Sequence, residues 1–364
     1  MWQIYGLDSG RMQGSALLRL ARTADLAKND ANVRPTTLIS HNGFVYAAYS
    51  GAYVGGQVHV AGTLPGDSFV VGTAQLRDLA NLFDSGSEVL LTVDKENGLR
   101  MAGADRNATL RCLPEAAVGL MPMPFDQPSI ICRTNTLKAE MELAEQFTSD
   151  SPQVPVLTGV RMVLSKDTLV LMAHDGAAGL FASNVPCKPG DHGYPEKLDL
   201  SVPPSDIAVG LSLLTEEEHV CISLSGNNIL LYNESGIVRT STLAGQWPDV
   251  RGVTQQIERH DVLLESDKLD LVLSGVKALG AEQVIILERA GDAMRVRTKA
   301  SEMGAFVVDM PQAFPIEQVA FDVHSIRLAA KLSKSITMQI AASASVPTLI
   351  KADARRYWIT RRVL

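Results

Sequence analysis

The residues best suited to chemistry are His174 and Asp175, adjacent in LVLMAHDGAAGLF (169 to 181), with His41 and His59 nearer the start of the chain. An imidazole beside a carboxylate can work as acid and base. Consecutive residues of a strand point to opposite faces, however, so this pair is not expected to converge. No GxSxG, HExxH, phosphate-loop or GxGxxG spacing supports a hydrolytic enzyme built on His174. SGAYVGG (50 to 56) is glycine-rich, but it lacks the lysine and the strand-to-helix setting of a phosphate loop and reads as a turn. Cys112, Cys132, Cys187 and Cys221 are scattered, with no CxxC or histidine spacing suited to zinc, and read as buried free thiols. No catalytic residue, metal or cofactor is therefore expected.

Composition points to a folded, globular chain. Its 364 residues are 46% hydrophobic and 20% charged, ordinary values for packed domains. The length leaves room for two or three domains, each with its own core. A formal charge of −7 argues against nonspecific wrapping of nucleic acid by the whole surface, while leaving locally basic faces open. No run of about 18 apolar residues is present to cross a bilayer. The stretch MWQIYGLDSGRM has no basic region followed by an apolar one. A cytoplasmic protein with no membrane contact is expected.

The elements that must position such side chains repeat along the chain. FVVG (69 to 72) reads as a strand, and TAQLRDLANLF as a helix with the stripe Leu76, Leu79, Ala80 and Phe83. EVLLTV, GLRMAGA and ATLRCLP then read as strands, giving the order β-α-β-β-β. The order returns in LDLSVPPSDIAVGLSLLTEEE, striped by Ile207, Leu211 and Leu214, with HVCISLS, NNILLYN and GIVRTSTLAG behind it. It returns again from VAFDVHSIRLAAKLSK through SITMQIAA, TLIKADA and RYWITRRVL. Three further helices are predicted over Ser15 to Lys28, Thr136 to Phe147 and Ser266 to Leu279. Their stripes are Leu17, Leu20, Ala21 and Ala24, then Leu137, Met141 and Ala144, then Leu269, Val272, Leu273 and Val276. Six units of roughly 45 to 60 residues follow, a tandem spacing.

Proline-bearing stretches at MPMPFDQP (121 to 128) and WPDVRGVTQQIERHD (247 to 261) divide the units into three pairs. One β-α-β-β-β unit leaves a sheet face and edges bare, so two are expected to share a core. The fold class is α+β, in three similar domains at 1–124, 125–252 and 253–364.

VLTGVRMVL (156 to 164), LVLMAHDGAAGLF (169 to 181) and LAGQWPDVRGV (243 to 253) resemble the second domain of bacterial DNA sliding clamps, the beta subunit of the replicative DNA polymerase holoenzyme. That family shows a PVLxGV strand, a TDGxRL turn and a GxFPDY segment at similar separations. Arg34, Pro35 and Thr36, followed by Thr37, Leu38 and Ile39, look like its RPTLPIL strand start, and YWITRRVL is similar to its last strand and short tail. The resemblance implies a DNA clamp fold, each chain forming half of a ring with helices inside and sheets outside. It implies a non-enzymatic processivity factor of DNA replication that encircles double-stranded DNA without reading sequence. Its partners would be a second copy, joined head to tail as a homodimer, and DNA polymerase and clamp loader, held through short linear peptides.

Phosphate attraction inside such a ring calls for lysine and arginine on the helices. The candidates are Arg19, Arg22, Arg77, Lys138, Lys268, Lys277, Arg327, Lys331 and Lys334, with Arg34 matching the family's DNA-contacting arginine. Arg327, Lys331 and Lys334, at i, i+4 and i+7, are expected to share a helical face without an acid. By the resemblance, the partner-peptide groove falls on Leu157, His174, Gly176, Leu180, Pro248, Val250, Val253, Ile359, Thr360, Arg361 and Leu364. Ala177, Ala178, Trp247 and Val250 depart from the family there, which fits a divergent member, such as one encoded by a phage, with its own peptide preference. A structural scaffold ring of repeated α+β modules shares the repeat but not the Asp-Gly and Trp-Pro-Asp segments.

Overall fold

The structure, a computed structural model, describes residues 9–29, 34–93, 98–176, 179–214, 217–254, 257–278, 284–298 and 305–362. The first module is β1 (Ser9–Gln13), α1 (Gly14–Ala21), β2 (Thr36–His41), β3 (Phe44–Ser50) and β4 (Val54–Ala61). The second is β5 (Ser68–Val71), α2 (Thr73–Ala80), β6 (Glu88–Val93), β7 (Gly98–Ala102) and β8 (Asn107–Arg111). The third is β9 (Ile130–Arg133), α3 (Thr134–Glu145), β10 (Val160–Ser165), β11 (Thr168–His174) and β12 (Gly179–Pro189). The fourth is β13 (Asp199–Val202), α4 (Pro204–Leu213), β14 (His219–Ser225), β15 (Asn228–Asn233) and β16 (Gly236–Ser241). The fifth is β17 (His260–Glu265), α5 (Ser266–Ala278), β18 (Val284–Ala290), β19 (Ala293–Thr298) and β20 (Val307–Met310). The sixth is β21 (Gln318–Asp322), α6 (Val323–Ala330), β22 (Ser335–Ile340), β23 (Thr348–Ala352) and β24 (Arg355–Ile359). Among the described residues the order β-α-β-β-β thus recurs six times.

The helical stripes account for this. Leu17, Leu20, Leu76, Leu137, Met141, Ile207, Leu211, Leu269 and Val272 are all buried, while Leu79 and Leu273 are half-buried. Apolar residues at i, i+3 and i+4 give each helix one face to cover a sheet, and burying that face stabilises a helix far more than propensity does.

Several of the expected helices end early, α2 at Ala80 short of Phe83 among them. The stretch Ser15 to Lys28 is α-helical only to Ala21 and tightens into a 3-10 segment over Arg22–Asn29. Thr23 Oγ1 donates to Leu20 O at 2.7 Å, a side-chain bond that competes with the regular ladder. The last helix stops at Ala330, where Lys331 N and Leu332 N bond back only three residues, to Leu328 O and Ala329 O. Lys331 is therefore the cap and Lys334 lies beyond the helix, so Arg327, Lys331 and Lys334 do not share a helical face.

Modules are tied together by exchanging first strands. β1 joins the second module's sheet, in the order β1-β6-β7-β8, while β5 pairs with β2. Likewise β17 pairs with β22 and β21 with β18. A module that lends its first strand leaves no complete sheet of its own, which makes its neighbour part of its core.

By its contacts the chain divides into two compact units, Met1–Met141 with Lys166–Thr168 and Pro186–Thr242, and Glu142–Ser165 with Leu169–Val185 and Leu243–Leu364. Within the first, β16 pairs with β4, so strands of the fourth and first modules form one sheet, β9-β14-β15-β16-β4-β3-β2-β5. This close approach needs glycine: a Cβ on Gly56 would stand 2.9 Å from Ile237 O, and one on Gly236 would stand 2.3 Å from Gln57 O. SGAYVGG is a turn only at its start, since Gly55 and Gly56 lie in β4 opposite Arg239 and Val238.

The cysteines are less scattered than their spacing suggests. Cys132 on β9 and Cys187 on β12 are cross-strand partners, with Cys132 buried and Cys112, Cys187 and Cys221 half-buried. A hydrogen bond with the Cys187 thiol, and then burial, push the Cys132 thiol up, which keeps it protonated. Within the second unit, the first residues of β12 pair with β24 in the sheet β17-β22-β23-β24-β12. One face of that sheet carries an aromatic core, in which the Phe147 ring stacks on Phe181 at 4.5 Å and meets Tyr357 edge-on at 4.8 Å.

Candidate functional site

The second unit assembles an apolar platform on the other face of the same sheet. Leu180 is the cross-strand partner of Trp358, and Trp358 that of Leu349. Directly opposed residues share a face, so the three form one cluster, exposed by only 1%, 7% and 6% respectively. Met172, Ala182, Val250 and Val253 pack against it, each half-buried. The two valines arrive on a single helical turn, in which Val253 N and Thr254 N donate to Val250 O at 3.0 and 3.1 Å. The i, i+3 spacing puts both valines on one side of that turn.

The Asp-Gly turn sets where β12 begins. Gly176 takes a φ of +84°, a conformation that suits glycine. Its N–H donates to His174 Nδ1 at 2.8 Å, while Gly179 N donates to Asp175 Oδ1 at 2.9 Å and Asp175 N to Gly179 O at 3.2 Å. Contrary to the expectation from strand alternation, His174 Nδ1 and Asp175 Oδ1 come within 3.8 Å, because β11 ends at His174 and Asp175 already belongs to the turn. Each side chain is engaged in holding that turn.

Burial lowers the His174 pKa, only partly offset by Asp175. With the folded value below the ordinary histidine value of about 6.5, the unfolded state binds more protons there. Stability is therefore full above that value and is lost as pH falls through it. Between pH 7.5 and 5.5 the melting temperature is expected to drop more in the native protein than in His174→Asn, whose amide oxygen still accepts from Gly176 N. Equal slopes in thermal melts of the two proteins would show that His174 does not titrate in this way.

Of the other residues expected in the groove, Leu157 is buried in a 3-10 turn over Pro155–Thr158, where its carbonyl accepts from Ser149 N at 2.9 Å. Leu157 is not part of the apolar cluster. Ile359, alternating with Trp358 along β24, is fully buried on the aromatic-core face. Pro248 and Thr360 are exposed. Arg361 is half-buried, donating from Nε to Thr348 Oγ1 at 3.3 Å and from Nη2 to Ala341 O at 2.5 Å. Leu364, Ala177 and Ala178 lie outside the described residues. Met172, Leu349 and Trp358 were not singled out from the sequence. Trp358 had a signal, its place one residue before Ile359 in a closing strand, but only the pairing of β24 with β12 and β23 shows which face it takes. Trp247, where the resembled family has phenylalanine, lies under the Arg161 guanidinium, 5.9 Å from the ring centroid, a cation–π contact.

The basic candidates have mixed surroundings. In the first unit, Arg22 and Arg34 are exposed, Arg19 Nη2 reaches Ser235 O at 3.5 Å, Arg77 meets Asp78 at 3.4 Å, and Lys138 is half-buried. In the second, Lys268 pairs with Glu265 at 3.4 Å and Lys331 Nζ donates to Gln146 Oε1 at 2.7 Å, while Lys277, Arg327 and Lys334 are exposed. Asp206 is buried in α4 and accepts from Thr240 Oγ1 at 3.2 Å. Among the described residues no group of three His, Cys, Asp or Glu side chains is placed to hold a metal ion, and no helix is long and apolar enough to cross a membrane.

No protein-family model and no curated protein matches the sequence. Solved structures do match the fold. The DNA polymerase III beta subunit from Thermotoga maritima superposes with a TM-score of 0.82 at 16% identity, over 98% of this chain and 99% of its own. The DNA polymerase sliding clamp from Bacillus subtilis gives 0.81 at 15%, with the same coverage. The sliding clamp (DNA polymerase III subunit beta) from Pseudomonas aeruginosa, bound to griselimycin, gives 0.82 at 16%, again over 98% and 99%. The chain has the DNA sliding-clamp fold. At such identities few side chains are shared, so what the clamp fold retains is the β-α-β-β-β order, which depends on apolar periodicity and not on particular residues.

Proposed function

We propose that this chain is a DNA polymerase processivity factor, a sliding clamp that encircles duplex DNA and tethers polymerase and other partners by their peptides. The observation that carries the reading is the end-to-end match to the Thermotoga maritima DNA polymerase III beta subunit, with a TM-score of 0.82 over 98% of the chain. In this reading the six modules act as three paired domains, 1–124, 125–252 and 253–364, and two chains join head to tail to close a ring in the cytoplasm. Arg22, Arg34, Lys277 and Arg327, exposed and basic, supply sequence-independent phosphate attraction, with Arg19, Arg77, Lys138, Lys268, Lys331 and Lys334 as weaker contributors. The platform of Leu180, Val250, Val253 and Trp358 receives apolar anchors of partner peptides, the clamp loader's among them. The protein itself catalyses nothing, and His174 serves its turn.

On primed circular DNA, with the replicative polymerase and clamp loader of the same cell, the protein is expected to lengthen each synthesis event and to remain on the circle. Linearising the circle is expected to release it, because a ring is held by topology and not by affinity. Retention on linear DNA with free ends, or no change in product length, would overturn the reading. A sedimentation mass of one chain would remove the ring.

A further inference from the structure

Beside the apolar platform, still within the second unit, a recess of about 360 Å3 is lined by Arg259, Lys351 and Arg356 together with Thr254, Leu349 and Trp358. Its cations have little to satisfy them. Arg259 is half-buried, and among the described residues it is tied only through Nη2 to Pro347 O at 3.3 Å, its Nε being enclosed without an acceptor. The indole Nε1 of Trp358 is likewise enclosed without one. Enclosed donors left unmade are expensive, and enclosed charges more so. Burial lowers the Arg259 pKa, and Arg361, whose own pKa is lowered by burial and by Arg259, adds to the positive field. Asp261, next to the recess, is turned to Gln339 Nε2 at 2.6 Å.

We propose that this recess binds the carboxylates of an acidic segment in the same partner peptide whose apolar anchor sits on the adjoining platform. The proposal rests on reading that platform as the partner groove. Charge complementarity sets the occupant: three cations converge on a recess whose inner wall is the Leu349 and Trp358 edge of the platform, so a peptide a few residues longer than its anchor spans both. A guanidinium fork and an ammonium suit carboxylates. Single-stranded nucleic acid would need an open aromatic face for base stacking, and Trp358, only 7% exposed, offers none.

The test uses fluorescence anisotropy with the full chain at low salt. A Gly/Ser decapeptide bearing one Leu-Phe pair and two following aspartates is expected to bind roughly tenfold more tightly than the same peptide with asparagines. The double substitution Lys351→Glu with Arg356→Glu, at a half-buried and an exposed position, is expected to erase that difference and leave the asparagine peptide unchanged. Equal binding of the two peptides to the native protein overturns the proposal, as does an oligothymidylate that binds in the native protein and is lost in the double variant. A hexaglutamate peptide, which has no apolar anchor, separates the two ideas. Its weak binding, abolished in the double variant, supports the recess even if the asparagine peptide fails to bind and the groove reading falls. Its failure to bind overturns the recess whatever the apolar peptides do.

Discussion

Val253→Asn is expected to cut processive synthesis roughly tenfold or more while leaving the two-chain mass of the free protein unchanged. Val253 rests half-buried against the cluster of Leu180, Leu349 and Trp358, on a turn whose main chain is held by its own N–H to Val250 O. The substitution therefore changes the surface of the platform without changing the turn that presents it. Facing a partner's apolar anchor with an amide that finds no hydrogen bond costs about 1–3 kcal/mol, or some 5- to 150-fold in affinity. Primer extension on a closed circle reads the tether, and the sedimentation mass of the free protein reads the ring. Loss of both would mean that the protein had misfolded, and loss of neither would mean that partners dock elsewhere.

Phe181→Ala is expected to remove about 3–5 kcal/mol from the second unit, the usual effect of emptying a buried aromatic site. Phe181 is fully buried, stacked on Phe147, and is the cross-strand partner of Tyr357 on β24. The cavity would open between the end of the third module and the last strand of the sixth, where neither side can collapse without disturbing strand pairing. Trp247 and Trp358 both belong to this unit, so tryptophan fluorescence during urea unfolding should show its midpoint move to lower denaturant. Phe181→Leu, which keeps most of the volume, should recover much of the loss. An unchanged midpoint for the alanine variant would show that the aromatic core is not what joins β12 to β24.

The apolar platform was only partly legible in the sequence. Leu180, Val250 and Val253 could be named because the Asp-Gly turn and the Trp-Pro-Asp segment resemble motifs of the sliding-clamp family. Met172, Leu349 and Trp358 could not, since each becomes part of the platform only through cross-strand register, which joins residues far apart in the chain. Ile359 shows the same limit from the other side, because a shift of one residue along β24 separates the platform from the aromatic core. Lys334 was misplaced for a local reason, the 3-10 tightening at Leu332, which the spacing of Arg327 and Lys331 does not reveal.

The sequence by itself determined the α+β class and the sixfold β-α-β-β-β order, because apolar period is a local property that a single strand or helix displays. It also marked the segments at 121 to 128 and 247 to 261, where proline interrupts that period. Tertiary structure alone decided that modules exchange first strands, that Gly56 and Gly236 let β4 meet β16, and that Leu180, Leu349 and Trp358 share one face. Those outcomes depend on hydrogen-bond pairing between strands distant in sequence, and a strand's own residues say which of its faces is apolar without saying which edge it will join.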